Sequence, residues 1–476
     1  MRIVKPTSNE NSTSEREDWY QDLVIKTELA EHGPVKGTMV IRPYGYAIWE
    51  AIQGELDRRI KSQLGAQNAY FPLFIPEHFI KREKEHVAGF SPELAVVTHA
   101  GGKKLAEPLI VRPTSETVIG ASFHKWINSY RDLPLIINQW ANVVRWELRT
   151  RMFLRTSEFL WQEGHSAHAT QDEASALSRK ALEMYARFIE EFLAIPGVSG
   201  TKSESERFAG AEVTYALEGL MRDGKALQLA TSHELGQHFA KSFGTEFSDQ
   251  NGVRQTPYQT SWGASTRLIG AIILAHSDER GLRLPPNVAP VQVVVVPIAP
   301  DSLVRRTVAK LGEELTARGI RFKVDERDET PGFKFNHWEQ KGVPLRVEIG
   351  PRDVKAKKAQ FVRRDTGEHT AHALTTAGVR AWEMLQQIHD GLFDQALEFR
   401  TRHTHRPKAF TEVTRILKDE GGFVELLWCG RSSCEAKMKR ETTATLRVLP
   451  FAKERSGRCG ICGNAARTTA LFAKAY

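Results

Sequence analysis

Apolar positions along the chain fall into several distinct periods. Over 46–64, Ile48, Ile52, Leu56, Ile60 and Leu64 recur every four residues, one face of an amphipathic helix, and Gly65 follows where a C′ glycine ends one. Residues 68–75 read as an extended strand with Pro72 inside it; proline donates no ladder hydrogen bond, so such a strand belongs on an edge or at an interface. Residues 138–147 alternate as a strand, 148–157 form a loop holding Arg149, Arg151 and Arg155, and 158–163 return. A run of small residues, 261–267, opens an apolar helix over 268–274. Pro285, Pro286 and Pro290 then interrupt the chain like a linker. The β-branched run 291–297 after them predicts a strand buried on both faces, as in a parallel sheet. Helices over 303–317 and 333–341 alternate with strands over 320–324, 344–349 and 360–363, the pattern of a small α/β domain. A helix over 371–400 leads out, and 403–407 reads as a second linker.

The 476 residues, 41% hydrophobic and 26% charged, leave room for two to four domains and exclude wholesale disorder. No run approaches the roughly 18 apolar residues of a membrane helix. Residues 1–18 have no apolar stretch and several acids, so they predict a disordered tail rather than a signal, and a cytoplasmic protein. Charge changes this picture at one end. Of a net +8, residues 400–476 carry 16 Lys and Arg against 7 Asp and Glu, a basic segment suited to a polyanionic partner. All four cysteines lie there as well. Cys429, Cys434, Cys459 and Cys462 form C-x₄-C and C-x₂-C knuckles around 24 residues, a pattern for a structural zinc held by four thiolates rather than for disulfides.

Three segments carry other candidate chemistry. Alternation on the strand 138–147 aims Arg145 and Glu147 to one face. An arginine there can grip a phosphate or carboxylate at two points, and an acid beside it can bond an amino group or help hold Mg²⁺. Phe159 on the return strand can stack on a flat base. Arg267 stands where a helix begins, a favourable place for an anion.

In order and spacing these segments resemble motifs 1, 2 and 3 of the class II aminoacyl-tRNA synthetases: Pro72 after a helix; Arg145-x-Glu147 with Arg155 and Phe159; Gly263-x-Ser265-x-Arg267. Arg112-Pro-Thr-Ser-Glu116, Gln228-Leu-Ala-Thr231-Ser-His233, His276-x-Asp278, Leu284-Pro-Pro286, Lys341-Gly-Val-Pro-Leu-Arg346 and Glu348-x-Gly350-Pro-Arg-Asp353 narrow the resemblance to the prolyl-tRNA synthetases, over about 18–476, and the C-terminal cysteine cluster resembles that of the archaeal- and eukaryotic-like branch. The fold this implies is an α+β class II catalytic domain, an antiparallel sheet with helices, over 19–287. An α/β anticodon-binding domain over 288–400 and a small zinc-binding α+β domain over 401–476 follow.

The activity implied is ATP-dependent activation of L-proline to prolyl-adenylate and its transfer to tRNA. Arg145, Arg267 and Glu147 are the implied catalytic residues. The resemblance implies that Thr114, Glu116, Arg145, His233, Trp161 and Phe208, with His165, surround the amino acid. It likewise implies that Arg145, Glu147, Arg155, Thr156, Phe159, Gln228, Thr231, Ser265 and Arg267 contact ATP, with Mg²⁺. Glu339, Arg346 and Lys357 are anticodon candidates. Motif 1 implies a homodimer, and Tyr476 is expected near the active site. The 95 residues of 166–260 are too few for the editing domain of many bacterial relatives beside the strands the fold requires, so correction of mischarged tRNA by a separate factor is expected. Threonyl-tRNA synthetase, with its catalytic zinc cysteine, is excluded because no cysteine precedes Cys429. The rival reading is a catalytically inactive paralogue serving as a tRNA-binding or regulatory subunit. Loss of Arg145, Glu147 or Arg267 would mark it, and all three are present.

Overall fold

The computed structural model describes residues 12–86, 94–147, 149–451 and 455–476. Of the tail expected over 1–18, residues 1–11 lie outside that set, and Ser12–Lys26 is a helix.

An eleven-stranded sheet forms the frame. Its middle is antiparallel, in the order Gly197–Thr201, Val213–Leu220, Ala226–Gly236, Tyr258–Ser265, Glu158–His168, Leu135–Val144. The helix Gln171–Leu193, opened by a Thr170–Glu173 capping box, buries Leu177, Leu182, Tyr185, Phe188 and Ile189. These side chains share one core with Tyr215, Leu227, Trp262 and the helix Arg267–His276, in which every residue from Leu268 to His276 is buried.

Several local expectations are corrected. The helix expected over 46–64 is Pro43–Arg59, with proline in its first turn, and passes through a π-turn, Ile60–Leu64, to Gly65 at φ 71°. Pro72 is not inside a strand. It lies between the short strands Gln67–Asn68 and Phe74–Pro76, since a residue with no N–H leaves the ladder. The fully buried Arg112 ties this gap down, donating from Nη1 to the Phe71 carbonyl and from Nη2 to the Asn142 carbonyl, each at 2.7 Å. The strand expected over 138–147 ends at Val144.

The second sheet has five strands in the order Phe322–Val324, Val293–Pro297, Leu345–Ile349, Lys358–Arg363, His369–Ala373. Val293–Pro297 is buried throughout and parallel to both neighbours, as its β-branched run predicts. The helix Ser302–Ala317 starts at Asp301, whose side chain accepts from the amides of Leu303 and Val304. The exit helix begins later than expected. Residues 369–373 pair with Lys358–Arg363, a single 3₁₀ turn covers Leu374–Thr376, and the α-helix runs over Ala377–Arg402. The proline-rich linker is also no hinge. Pro285 and Pro286 are buried, and Arg321 donates to the carbonyls of Pro286, Asn287 and Ala289 at 2.9, 3.0 and 3.0 Å.

The second expected linker, 403–407, contains a strand, Thr404–His405, that pairs with Phe423–Trp428. Thr468–Ala473 and Thr445–Pro450 come next, and Leu449 and Pro450 pair with Thr201 and Gly200. The C-terminal α+β unit, with its helices Phe410–Asp419 and Ser432–Thr442, therefore extends the central sheet rather than standing apart from it.

Candidate active site and metal centre

One face of the antiparallel sheet and the turn before the helix Glu116–Trp126 enclose a cavity of about 270 Å³. Its wall includes Thr114, Glu116, Arg145, Phe159, Trp161, His165, Phe208, Gln228, Thr231, His233, Ser265 and Arg267, all singled out from the sequence. Strand periodicity explains most of this. On Glu158–His168, Phe159, Trp161, Glu163 and His165 point to one side. On Ala226–Gly236 the spacing of Gln228, Thr231 and His233 breaks strict alternation. There Leu217 pairs with Ala230 but Glu218 with Gln228, so Leu229 is an extra residue whose bulge turns Gln228 back to the cavity.

The cavity has an acidic end. Thr114 Oγ1 donates to Glu116 Oε2, both residues being buried. Beside them Glu163 Oε1 accepts from Ser115 Oγ at 2.5 Å and Gln139 Nε2 at 2.8 Å, and its Oε2 lies 3.1 Å from His165 Nε2. Burial pushes the His165 imidazole toward neutrality, but the bond to Glu163 and the charges of Glu116 and Glu163 outweigh it and raise its pKa. Glu163 escaped the sequence reading. Its place between Trp161 and His165 on an alternating strand was the signal available.

Two arginines line the same cavity. Beyond the ladder, the Arg145 amide bonds the Ser157 carbonyl at 2.8 Å and its Nε the Pro113 carbonyl at 3.1 Å. Its guanidinium lies 5.5 and 5.6 Å from the ring centres of Phe159 and Trp161. Burial lowers its pKa, against the pull of Glu116, Glu163 and Glu147. Arg267, first residue of its helix, donates from Nε to the Leu154 carbonyl at 3.2 Å. Burial, then the neighbouring Arg145 charge, bring it down to about 10, so it stays charged at neutral pH.

Aromatic residues complete the wall. The Phe208 ring lies 4.7 Å from His233, whose Nδ1 is 3.0 Å from Thr214 Oγ1. Burial and then His165 drive the His233 pKa down to about 3, so this imidazole is neutral. Trp161 Nε1 and Ser261 Oγ, buried atoms of wall residues, have no hydrogen-bond partner among the described residues. A compact ligand carrying both an ammonium and an anion matches this lining of carboxylates and guanidinium groups.

Three expected residues do not line the cavity. Glu147 accepts from Arg155 Nε at 2.7 Å, with the Arg155 side chain 56% exposed, and Thr156 Oγ1 donates to the Glu158 carbonyl at 2.7 Å. The expectation that Arg145 and Glu147 share a strand face fails because both lie past the last ladder pair.

Two further sites complete the picture. The four cysteine Sγ atoms lie within 4.8 Å of one another, with Cys429 3.6 Å from Cys434 and 3.7 Å from Cys462. Thiolates about 2.3 Å from one tetrahedral ion stand about 3.8 Å apart, so the set can hold a metal. In the five-stranded unit, a cavity of about 110 Å³ is lined by Glu339, Arg346, Trp338, Arg363 and Arg364. Arg346 lies over the Phe335 ring at 4.2 Å, and Glu339 pairs with Arg280 at 2.8 Å. Lys357 is not on that wall; it sits at φ 57° in the turn before Lys358–Arg363.

Three family descriptions match the chain. Residues 100–276 match the tRNA synthetase class II core domain (G, H, P, S and T), 292–378 an anticodon binding domain, and 410–476 the prolyl-tRNA synthetase C-terminal domain. Proline–tRNA ligase 2 of Clostridioides difficile strain 630 is 52% identical over 461 residues, 96% of each chain. The proline–tRNA ligase of Acetoanaerobium sticklandii is 51% identical over 461 residues, again 96% of each. Among solved structures, prolyl-tRNA synthetase of Cryptosporidium parvum complexed with halofuginone and AMPPNP superimposes with a TM-score of 0.93 at 40% identity, covering 100% of both chains. The same enzyme complexed with L-proline and AMP gives 0.92 at 38%, again over 100% of both. With core, anticodon unit and C-terminal unit all matched and identity sustained over nearly the whole length, the chain belongs to the proline–tRNA ligase family, the prolyl-tRNA synthetases.

Proposed function

We propose that this enzyme joins L-proline to tRNA in two steps. The observation that carries the reading is that the Thr114–Glu116 pair and Arg145 line one cavity, with the Glu116 charge felt at Arg145. A secondary ammonium offers two N–H donors, which a carboxylate and a hydroxyl can accept, while an arginine binds the carboxylate at the other end. Trp161, Phe208, His165 and the neutral His233 form the wall for the ring.

In the first step a proline carboxylate oxygen attacks the ATP α-phosphorus and the bond to pyrophosphate breaks. In the second, a hydroxyl of the terminal tRNA ribose attacks the carbonyl of the mixed anhydride and AMP leaves. Neither step needs a protein nucleophile, so rate comes from positioning and charge. In this assignment Arg145 spans the proline carboxylate and the α-phosphate, and Arg267 holds the γ-phosphate. Phe159, Gln228, Thr231 and Ser265 hold the nucleotide. Glu147, Arg155 and Thr156 contact it from the loop when that loop meets ATP. The described residues form no acidic cluster able to cage Mg²⁺ by themselves, so the ion is assigned to the ATP phosphates it arrives with.

The thiolate set is assigned to zinc in a structural role, all four positions being protein ligands. Glu339 and Arg346 are assigned to an anticodon guanine, the carboxylate accepting from its N–H edge and the guanidinium donating to its acceptors. Lys357 keeps only a peripheral part. The domain limits 19–287, 288–400 and 401–476 stand as proposals, as does the homodimer, supported by Tyr70 and Phe74 lying 74% and 49% exposed on either side of Pro72. No helix among the described residues is long and apolar enough to cross a membrane. A cytoplasmic site of action and a separate editing factor complete the proposal.

ATP–pyrophosphate exchange with each of the twenty amino acids, on wild type and Arg145→Ala, tests the reading. Exchange driven by proline and lost in the variant is expected. Exchange with another amino acid overturns the substrate, and none at all from folded protein favours the tRNA-binding paralogue.

A further inference from the structure

Outside the cavity, a buried ion cluster stands where the C-terminal strands join the central sheet. Glu218, fully buried, accepts from Lys202 Nζ on Oε1 at 2.8 Å. Arg447, from Thr445–Pro450, grips the same carboxylate at two points, with Nη2 2.9 Å from Oε1 and Nε 3.1 Å from Oε2. Backbone irregularities aim both groups. Leu446 pairs with Phe472 and Val448 with Leu471, so Arg447 is itself the extra residue of a bulge. Glu218 pairs with Gln228, the cavity residue turned inward by the bulge at Leu229. Buried charge clusters are weak sources of stability, so two bulges serving one such cluster invite another explanation.

Arg267 supplies it. Among the described residues its side chain bonds only the Leu154 carbonyl. Gln228 and Arg267 line the same cavity, Glu218 stands directly opposite Gln228 in the ladder, and the charges felt at Arg267 include those of Arg145, Glu218, Arg447 and Arg155. An unengaged Glu218 would be the natural partner for Arg267.

We propose that Arg447, contributed by the C-terminal segment, is a positioning residue for adenylate formation: by occupying both oxygens of Glu218 it keeps that carboxylate off Arg267 and leaves the Arg267 guanidinium for a nucleotide phosphate. The proposal rests on the assignment of Arg267 to ATP. It makes the cysteine-bearing unit part of the nucleotide site, although none of its side chains lines the cavity.

The test is ATP binding without amino acid, by titration calorimetry, for wild type, Arg447→Met and Arg447→Lys, with thermal unfolding of each and the proline KM from pyrophosphate exchange. Arg447→Met should weaken ATP about tenfold and move the proline KM less than about twofold, with Arg447→Lys recovering most of the loss because it keeps one charged donor on Glu218. Equal ATP affinity in wild type and Arg447→Met overturns the proposal, as does a lowered unfolding temperature with ATP and proline weakened alike. If Arg447→Met does not fold, Arg447→Lys decides, with about a two- to threefold loss expected and none overturning it. A wild type that binds ATP but shows no proline-driven exchange defeats the functional reading and leaves this proposal standing.

Discussion

Glu116 is buried with its carboxylate on Thr114 Oγ1, and Arg145 reaches it through charge rather than contact. Glu116→Gln keeps the shape and removes the charge an ammonium needs. A charge-assisted hydrogen bond contributes about 1.5–3 kcal/mol, so the proline KM should rise about ten- to a hundredfold with the ATP KM nearly unchanged, read from exchange kinetics. The buried imidazoles set a pH limit. Burial holds His233 and His276 down to about 3 and His168 down to about 4, so all three fold neutral. The unfolded chain binds protons at these positions below pH 6.5 and the folded one does not. Stability is therefore full above pH 6.5 and falls as pH drops toward 4, by up to about 1.4 kcal/mol per pH unit for each imidazole. Urea midpoints at pH 7.5 and 5.5 should show the fall, and equal midpoints would refute it. At this scale the motif residues were legible because their chemistry recurs in fixed spacing. Glu163 was not, since one carboxylate in a strand looks the same whether it faces solvent or Ser115, Gln139 and His165.

At the level of elements, strand pairing decides what the cavity wall can be. Gly164 lies opposite Trp262, and a Cβ there would stand 2.0 Å from the indole, which is 1% exposed and has nowhere to move. Gly164→Ala should cost about 1–3 kcal/mol or more, seen as a lower urea midpoint. Cys429 and Cys459 follow strand ends of the C-terminal unit and Cys434 lies in its helix Ser432–Thr442, and Cys434 and Cys459 also pack in its apolar core. Cys459→Ser should remove the metal, measured as zinc per chain by atomic absorption, and lower the unfolding temperature. Zinc retained at the wild-type level would refute the assignment. The parallel strand Val293–Pro297 could be read from its β-branched run. The linkers could not: prolines mark a break in regular structure, yet Arg321 closes the carbonyls of 286–289, and residues 404–405 find a partner strand.

For the whole molecule, charged contacts bind the units together. Arg364 grips Asp278 at 2.8 and 2.6 Å, Arg283 donates to the Asp365 carbonyl at 2.8 Å and to Gln395 at 2.7 Å, and Lys341 pairs with Glu28. The anticodon unit thus rests on the catalytic sheet through buried arginines rather than a flexible tether. The exposed Tyr70 and Phe74 predict a partner surface. Tyr70→Glu with Phe74→Glu should halve the mass seen in sedimentation velocity, and a wild type that already sediments as a monomer would refute the dimer.

The sequence by itself determined the family, the reaction expected of it, the three-part order of the chain, the cysteine set and most of the cavity wall. Those rest on local spacing, which survives in one dimension. Only the tertiary structure decided the rest. Gln228 faces the cavity because a bulge at Leu229 reverses its side, Glu147 leaves it because its strand stops at Val144, and the C-terminal unit joins the central sheet through Leu449 and Thr201. Each depends on which strand lies beside which and in what register. That is set by the sum of packing across the sheet and not by any residue's neighbours in sequence.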